Sequence, residues 1–344
     1  MASFNDPSEI RAAVIGYGGA FNMGKAHLSL VVEAGMTPGA VAEIDPDRLR
    51  SAKEDYPGIA TFGSVNAMLE AEAADLVILI TPHNTHAPLA IQCLESGCHV
   101  VSEKPLAITT EEVDQMMMTA QKTGLMLSTY HNRHWDGNII EAKKRILQNR
   151  EIGEIVRIDA HMTEYSQPKD WWRSSRPISG GILYDWGVHL LEYSLQLIDS
   201  EIREVCGFAF DGYWGPKTKW KEEANEDEAF AVVRFSDSKW LTLRISHLDP
   251  CPRPGILTIT GTEGTYIMDH HQSTVIRKEN DEKTETTFPN PPCTYLEYYR
   301  NIADHLCGKA ELIITPEWSR RPIHILDLAR QSAEQNQTLR SRYA

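Results

Sequence analysis

The sequence predicts an α/β protein in two domains: a parallel sheet covered on both faces, then a mostly antiparallel sheet with one covered face. Three observations lead there. Short apolar runs alternate with helical patterns over the first third of the chain. After about residue 131 the runs give way to segments in which apolar and polar residues alternate. A cluster of glycines falls directly between the first strand pattern and the first helix pattern. Strands buried on both faces read as continuous apolar runs, whereas strands with one wet face alternate.

Each element follows in order. "RAAVIGYGG" is a strand leading into a glycine turn, and "KAHLSLVVEAG" a helix stopped by Gly35. "PGAVAEID" is the second strand; "PDRLRSAKEDYPG" is a helix opening at Pro46 and closing near Pro57. "SVNAMLEAEA" is helical and "ADLVILITP" a fully apolar strand. "HAPLAIQCLESG" is helical and "CHVVSEKP" a strand. "TTEEVDQMMMTAQKTG" is a helix with Thr110 as its N-cap and Gly124 as its stop. "LMLSTYH" completes a first domain of residues 1–131, leaving 132–344 as the second. The second opens with a helix over "WDGNIIEAKKRILQNREIG". Alternating strands follow in "EIVRIDAHMTEY", "REVCGFAFDGY", "EAFAVVRFSD", "KWLTLRISHLD", "ILTITGTEGTYIMD" and "STVIRKE". The polar stretch 215–228 reads as a surface loop. "CTYLEYYRNIADHLCG" and "EWSRRPIHILDLARQSAEQNQTLRS" close the chain as helices.

Bulk properties exclude several functions. The net charge of −14 repels nucleic acid and anionic membrane surfaces, so neither is expected as a partner. No apolar run reaches the roughly 18 residues of a membrane span. The six cysteines form no C-x-x-C pair, which suggests reduced thiols in a cytoplasmic protein. "MASFNDPSEI" lacks the basic and apolar regions of a signal peptide. No histidine or carboxylate spacing specifies a metal site; His270 and His271 are adjacent on a strand end and point apart.

Two stretches carry chemistry. In "VIGYGGAFNMG", Gly16, Gly18 and Gly19 allow a tight turn and close approach of a pyrophosphate to main-chain N–H groups. The spacing departs from G-x-G-x-x-G, because Phe21 holds the third position and the next glycine is Gly24. Asp45, at the end of the second strand, is placed to accept ribose hydroxyls and to repel a 2′-phosphate, which favours NAD over NADP. In "GGILYDWGVH", Asp185 and His189 are four apart and share one helix face. That pair is either a structural hydrogen bond or an acid–base device.

Together with "TPHNTHAPLAIQCLESGCHVVSEKP", which ends in Glu103, Lys104 and Pro105, these stretches resemble the Gfo/Idh/MocA oxidoreductase family over nearly the whole chain. "YHNRHWDG" with "GGILYDWGVH" also resembles a branch of it containing inositol and sugar dehydrogenases, several of which use NADP. The resemblance implies a Rossmann domain followed by an α/β domain with a large open sheet, and an active site between them. It implies Lys104 and His189 as catalytic residues with Asp185 beside them. It implies cofactor contacts at Gly16, Gly18, Gly19, Phe21, Asn22, Asp45, Thr81, Pro82, His86, Glu103 and Lys104. Substrates would be polyols, sugars or glycosides, and the assembly a homodimer or homotetramer.

Elementary chemistry agrees. Lys104 follows a strand at its carboxyl end, where open α/β sheets place ligands. Oxidising a secondary alcohol requires removal of the hydroxyl proton, which suits an imidazole, and an ammonium can hold the oxygen as it gains alkoxide character. His131, Arg133 and His134 lie just beyond the last strand of the first domain, and at least one of them is expected at the substrate with Lys104, Asp185 and His189. Trp171, Trp172 and Arg173 offer indole faces and paired donors to a sugar, with core or interface packing the alternative for either tryptophan. Three rival functions stay open: a glycosidase that recycles tightly held NAD, a non-catalytic regulator binding nucleotide and sugar, and a reductase of imine, biliverdin-like or dihydrodiol substrates.

Overall fold

The computed structural model describes residues 4–279 and 282–343. The chain forms two compact units, Met1–His131 with Tyr295–Arg320 and Asn132–Thr294 with Arg321–Ala344.

The first unit holds strands β1 (Arg11–Ile15), β2 (Thr37–Ala42), β3 (Ala60–Phe62), β4 (Leu76–Leu79), β5 (His99–Ser102) and β6 (Leu127–Thr129). Among the described residues they form one sheet in the order β3-β2-β1-β4-β5-β6, with every pairing parallel. Every residue of β4 and β5 is buried, as expected of strands covered on both faces. The order steps outward from β1 in both directions, so β1 and β4 flank the switch point where such sheets bind ligands. Helices α1 (Met23–Glu33), α2 (Pro46–Asp55), α3 (Val65–Glu70), α4 (His86–Glu95) and α5 (Thr110–Thr123) connect the strands. The cap of α5 is Thr109, not Thr110: its hydroxyl accepts the Glu112 N–H and the Glu112 side chain returns to the Thr109 N–H. Only that register completes a reciprocal capping box.

Tyr295–Arg320 belongs with this unit, where the sequence reading gave it to the second. The physical reason is aromatic. From the helix Leu296–Leu306, Tyr298 meets Ser128 Oγ at 2.9 Å and Tyr299 meets His27 Nδ1 at 2.6 Å. Ser128 Oγ also donates to Ile314 O at 2.8 Å.

In the second unit the strands are β7 (Ile155–Thr163), β8 (Ile202–Phe210), β9 (Glu228–Phe235), β10 (Trp240–Ser246), β11 (Leu257–Gly261), β12 (Gly264–Met268), β13 (Gln272–Glu279), β14 (Glu282–Pro289) and β15 (Leu339–Arg340). Their order is β14-β13-β12-β11-β7-β10-β9-β8-β15. All pairings are antiparallel except β7 with β10. Helix α6 (Gly137–Lys143) runs on into a π-helical turn at Lys144–Gln148. Helix α7 (Arg176–Ser179) precedes α8 (Leu183–Leu195), which packs on β7 and β10. The loop 215–228 is two short 3₁₀ turns with Trp214 and Thr218 buried at its root.

Three strands escaped the sequence, the three-residue β3 and the later β14 and β15. "EKTETTFP" has no apolar alternation, and β14 is held by main-chain pairing with β13 on an exposed edge. The final helix stops at Gln335, Asn336 takes φ +53°, and β15 then pairs with β8 at Val205. Among the described residues no helix is long and apolar enough to cross a membrane.

Candidate active site

In the first unit, the chain turns after β1 through Gly16, Gly18 and Gly19, at φ of +97°, +70° and +75°, a region that side chains disfavour. A Cβ at Gly19 would meet nothing within 4 Å, so that side of the turn is open. Asn22 Oδ1 accepts the Gly18 N–H at 3.1 Å and shapes the turn, while Phe21 projects from it, 60% exposed. Gly24 supplies the close packing that the fingerprint lacks at Phe21. A Cβ there would lie 2.8 Å from Tyr17 Cδ2 and 2.9 Å from Gly16 O.

Asp45 has a role the sequence did not reveal. Its Oδ1 caps α2, accepting the N–H groups of Asp47 at 2.9 Å and Arg48 at 3.4 Å. The carboxylate tied to the glycine turn is Glu43, buried, whose Oε2 accepts the Tyr17 N–H at 2.9 Å. Arg48 lies 3.6 Å from Glu43 and 3.5 Å from Asp45. An open glycine turn at a helix N-terminus, with acid at the second strand end, fits a dinucleotide.

Thr81 and Pro82 follow β4, and the Thr81 hydroxyl accepts from Thr85 at 2.7 Å. His86 is fully buried, with Nδ1 2.7 Å from Pro105 O and Nε2 2.9 Å from Thr81 O. Burial keeps this ring below the ordinary histidine pKa, against the two carbonyl partners that pull it up. His86 therefore links the segment after β4 to Pro105; a cofactor contact is not what its geometry offers. Beyond β5, Glu103 Oε1 meets His27 Nε2 at 3.1 Å and Glu103 Oε2 accepts the Lys104 N–H at 3.0 Å. His131 lies two residues beyond the end of β6 and is fully buried.

In the second unit, α8 presents Asp185 and His189 one turn apart. Gly180 and Gly181 lead into it at φ +91° and +119°. A Cβ at Gly181 would lie 2.9 Å from Glu226 Oε2, the same atom that accepts the Ile182 N–H at 2.9 Å. The glycine thus admits Glu226 to the head of α8. Arg173 Nε lies 3.8 Å from Asp185 Oδ1, and its guanidinium sits 4.9 Å from the Trp171 ring and 4.3 Å from the Trp172 ring. Those four predicted residues are together.

Arg133 and His134 are bound to α8 itself. Arg133 pairs with Asp136 at 3.1 Å and stacks 4.9 Å from Trp186, while Asp136 also accepts from Tyr193. His134 Nδ1 meets the fully buried Glu192 at 2.7 Å. Both residues hold the helix, a role that the sequence reading did not give them. Trp186 lies 5.5 Å from His189 and 6.1 Å from His270 between ring centroids.

The first unit matches the oxidoreductase-family model for the NAD-binding Rossmann fold over residues 10–131, and residues 144–340 match that family's C-terminal alpha/beta domain. The chain belongs to the Gfo/Idh/MocA oxidoreductase family. It is 24% identical to the scyllo-inositol 2-dehydrogenase (NADP(+)) of Bacillus subtilis (strain 168), over 87% of this chain and 88% of the relative. It is 26% identical to the D-glucoside 3-dehydrogenase of Escherichia coli (strain K12), over 72% of each. Among solved structures, an NAD-binding protein from Listeria innocua superposes with a TM-score of 0.82 at 25% identity, covering 96% of this chain and 97% of that one.

Sequence reasoning missed Glu43, Glu226, His27 and Trp186. Glu43 lies two residues before Asp45 at the strand end, a usable signal. Glu226 is distant in sequence from α8 and left none.

Gly24→Ala should disturb the glycine turn, because its new Cβ meets main chain as well as a ring. We expect a loss of about 1–3 kcal/mol in denaturant unfolding and weaker NADH binding by fluorescence. Unchanged stability and affinity would contradict the packing role.

Proposed function

We propose that this family member transfers hydride between NAD and a secondary hydroxyl of a cyclic polyol, sugar or glycoside. The observation that carries the reading is the joint presence of Lys104 at the carboxyl end of a sheet strand and His189 with Asp185 on one face of α8. NAD would be held by the turn at Gly16–Gly19 and by the acidic strand end, and supplies the hydride acceptor when bound. His189 takes the hydroxyl proton during oxidation and returns it during reduction. Lys104 donates to the reacting oxygen and offsets its growing negative charge. Asp185, with Arg173 beside it, orients substrate hydroxyls, and Trp171 and Trp172 offer apolar faces for sugar C–H groups.

The preference for NAD follows from charge. Two carboxylates, Glu43 and Asp45, face one guanidinium, Arg48, so a 2′-phosphate meets net repulsion. A relative named for NADP makes this a point to measure.

The test is a panel of scyllo-inositol, myo-inositol, glucose and methyl β-D-glucoside with NAD and with NADP, followed by absorbance of the reduced cofactor. Higher kcat/KM with NAD on at least one cyclic polyol or sugar is expected. Product formation without net NADH points instead to a glycosidase, and no turnover with any member removes the reading. Lys104→Met should lower kcat about 10²–10³-fold and His189→Ala about 10²–10⁴-fold, with NADH affinity retained. Oxidation should slow in acid, because a protonated imidazole cannot accept the proton. Near-normal kcat in both variants would overturn the assignment.

The same reading includes a homodimer or homotetramer. One face of the wide sheet carries a groove of about 480 Å³ flanked by Phe208, Phe230 and Arg244, and Phe208 is 57% exposed. Exposed aromatics on a sheet face suit a second copy. Light scattering at micromolar concentration should report two or four chains, and a monomer would contradict this.

A further inference from the structure

A chain of withdrawn side chains in the first unit ends on Lys104, and the function above does not use it. His27, on α1, is fully buried and bridges two groups. Its Nδ1 lies 2.6 Å from the Tyr299 hydroxyl and its Nε2 3.1 Å from Glu103 Oε1. Tyr130 packs edge-on against the ring, 4.3 Å between centroids, and itself meets Tyr298 and Tyr299 at 5.0 Å and 5.7 Å.

The direction of the bonds can be worked out. Burial and the neighbouring tyrosines hold the Tyr299 phenol far above its ordinary pKa, so it keeps its proton and donates to Nδ1. A carboxylate can only accept, so the hydrogen in the bond to Glu103 sits on Nε2 of His27, while Nδ1 faces the Tyr299 hydroxyl. Burial pushes the Glu103 carboxyl up, but the hydrogen bond from His27, the charge of Lys104 and the Lys104 main-chain N–H outweigh it and hold the carboxyl below its ordinary range, so Glu103 is an anion. Its second oxygen accepts the Lys104 main-chain N–H at 3.0 Å. Both carboxylate oxygens are thereby fixed, one by the imidazole and one by the residue it serves.

We propose that His27 is a positioning residue: backed by Tyr299, it orients Glu103 so that Glu103 holds the main chain of Lys104 at the end of β5. The proposal rests on the assignment of Lys104 to the reacting oxygen. Without the imidazole, Glu103 is free to turn toward the Lys104 ammonium and abandon the main-chain bond.

The test uses two variants of opposite geometry. The amide nitrogen of Gln falls near Nε2 of the replaced ring, and that of Asn near Nδ1. His27→Gln keeps the donor to Glu103; His27→Asn loses it. Kinetics are read with NAD and either scyllo-inositol or methyl β-D-glucoside, NADH affinity by fluorescence, and folding by thermal unfolding. A second readout needs no substrate: the acetylation rate of Lys104 by acetic anhydride relative to the other lysines, by mass spectrometry. His27→Asn should lower kcat about 10- to 100-fold, the range of one charge-assisted hydrogen bond, with KM and NADH affinity little changed and Lys104 acetylation altered. His27→Gln should restore most of kcat and the wild-type labelling. Tyr299→Phe, which removes only the partner at Nδ1, should act in the same direction more weakly, and serves if a His27 variant does not fold.

Wild-type kcat and labelling in His27→Asn would overturn the proposal. So would equal losses in Asn and Gln variants that track thermal stability with Lys104 labelling unchanged. Lys104→Met runs in parallel. If it retains kcat, the catalytic reading has failed, while the labelling still decides whether His27 positions Lys104.

Discussion

Glu43, Glu103 and Glu226 each give one carboxylate oxygen to a main-chain N–H at the head of a chemically equipped segment. Glu43 holds Tyr17 in the glycine turn, Glu103 holds Lys104, and Glu226 holds Ile182 at the start of the helix that carries Asp185 and His189. Each carboxylate is largely withdrawn from water. Such a group is costly to remove from solvent unless charged hydrogen bonds compensate it. A buried anion anchored to a backbone donor therefore has few alternative positions. Each segment inherits that restriction, and active groups held on a rigid frame need little reorganisation when they react.

The three anchors are themselves anchored by different means. Glu43 spans two backbone donors, of Tyr17 and Asp45, so the turn and the strand end share one group. Glu103 is set by His27. Glu226 pairs with Arg176 at 3.4 Å, and Gly181 leaves it room to approach. Around α8 the restraint continues on the helix body: Glu192 takes His134 and Tyr193 takes Asp136, while Arg133 lies over Trp186. This explains why a segment rich in polar residues, "NRHWDG", sits against a largely buried helix. Its charged groups are paired in place.

Legibility in the sequence followed the length scale of the cause. Continuous apolar runs such as "LVILI" and the strand–glycine–helix order revealed the first sheet, since burial on both faces has a local signature. The Asp185–His189 face was legible from a spacing of four. Thr109 and Thr110 could not be separated by residue type; the position of Glu112 decides between them, and that signal was present. Strand β14 was invisible because main-chain pairing, not side-chain pattern, holds "EKTETTFP". The placement of Tyr298 and Tyr299 beside His27 and Ser128 depends on contacts across more than 150 residues, which no periodicity encodes. Glu226 and His27 were missed for the same reason: each acts on a motif remote in sequence.

Amide hydrogen exchange at Tyr17, Lys104 and Ile182 tests the carboxylate anchors most directly, in the wild-type chain and in Glu43→Gln, Glu103→Gln and Glu226→Gln. A hydrogen bond to a charged acceptor contributes about 1.5–3 kcal/mol, so each substitution should speed exchange at its own amide by about 10- to 100-fold. The other two amides should keep their protection. Exchange that does not change at the matched amide, or that rises together at all three, would contradict the account.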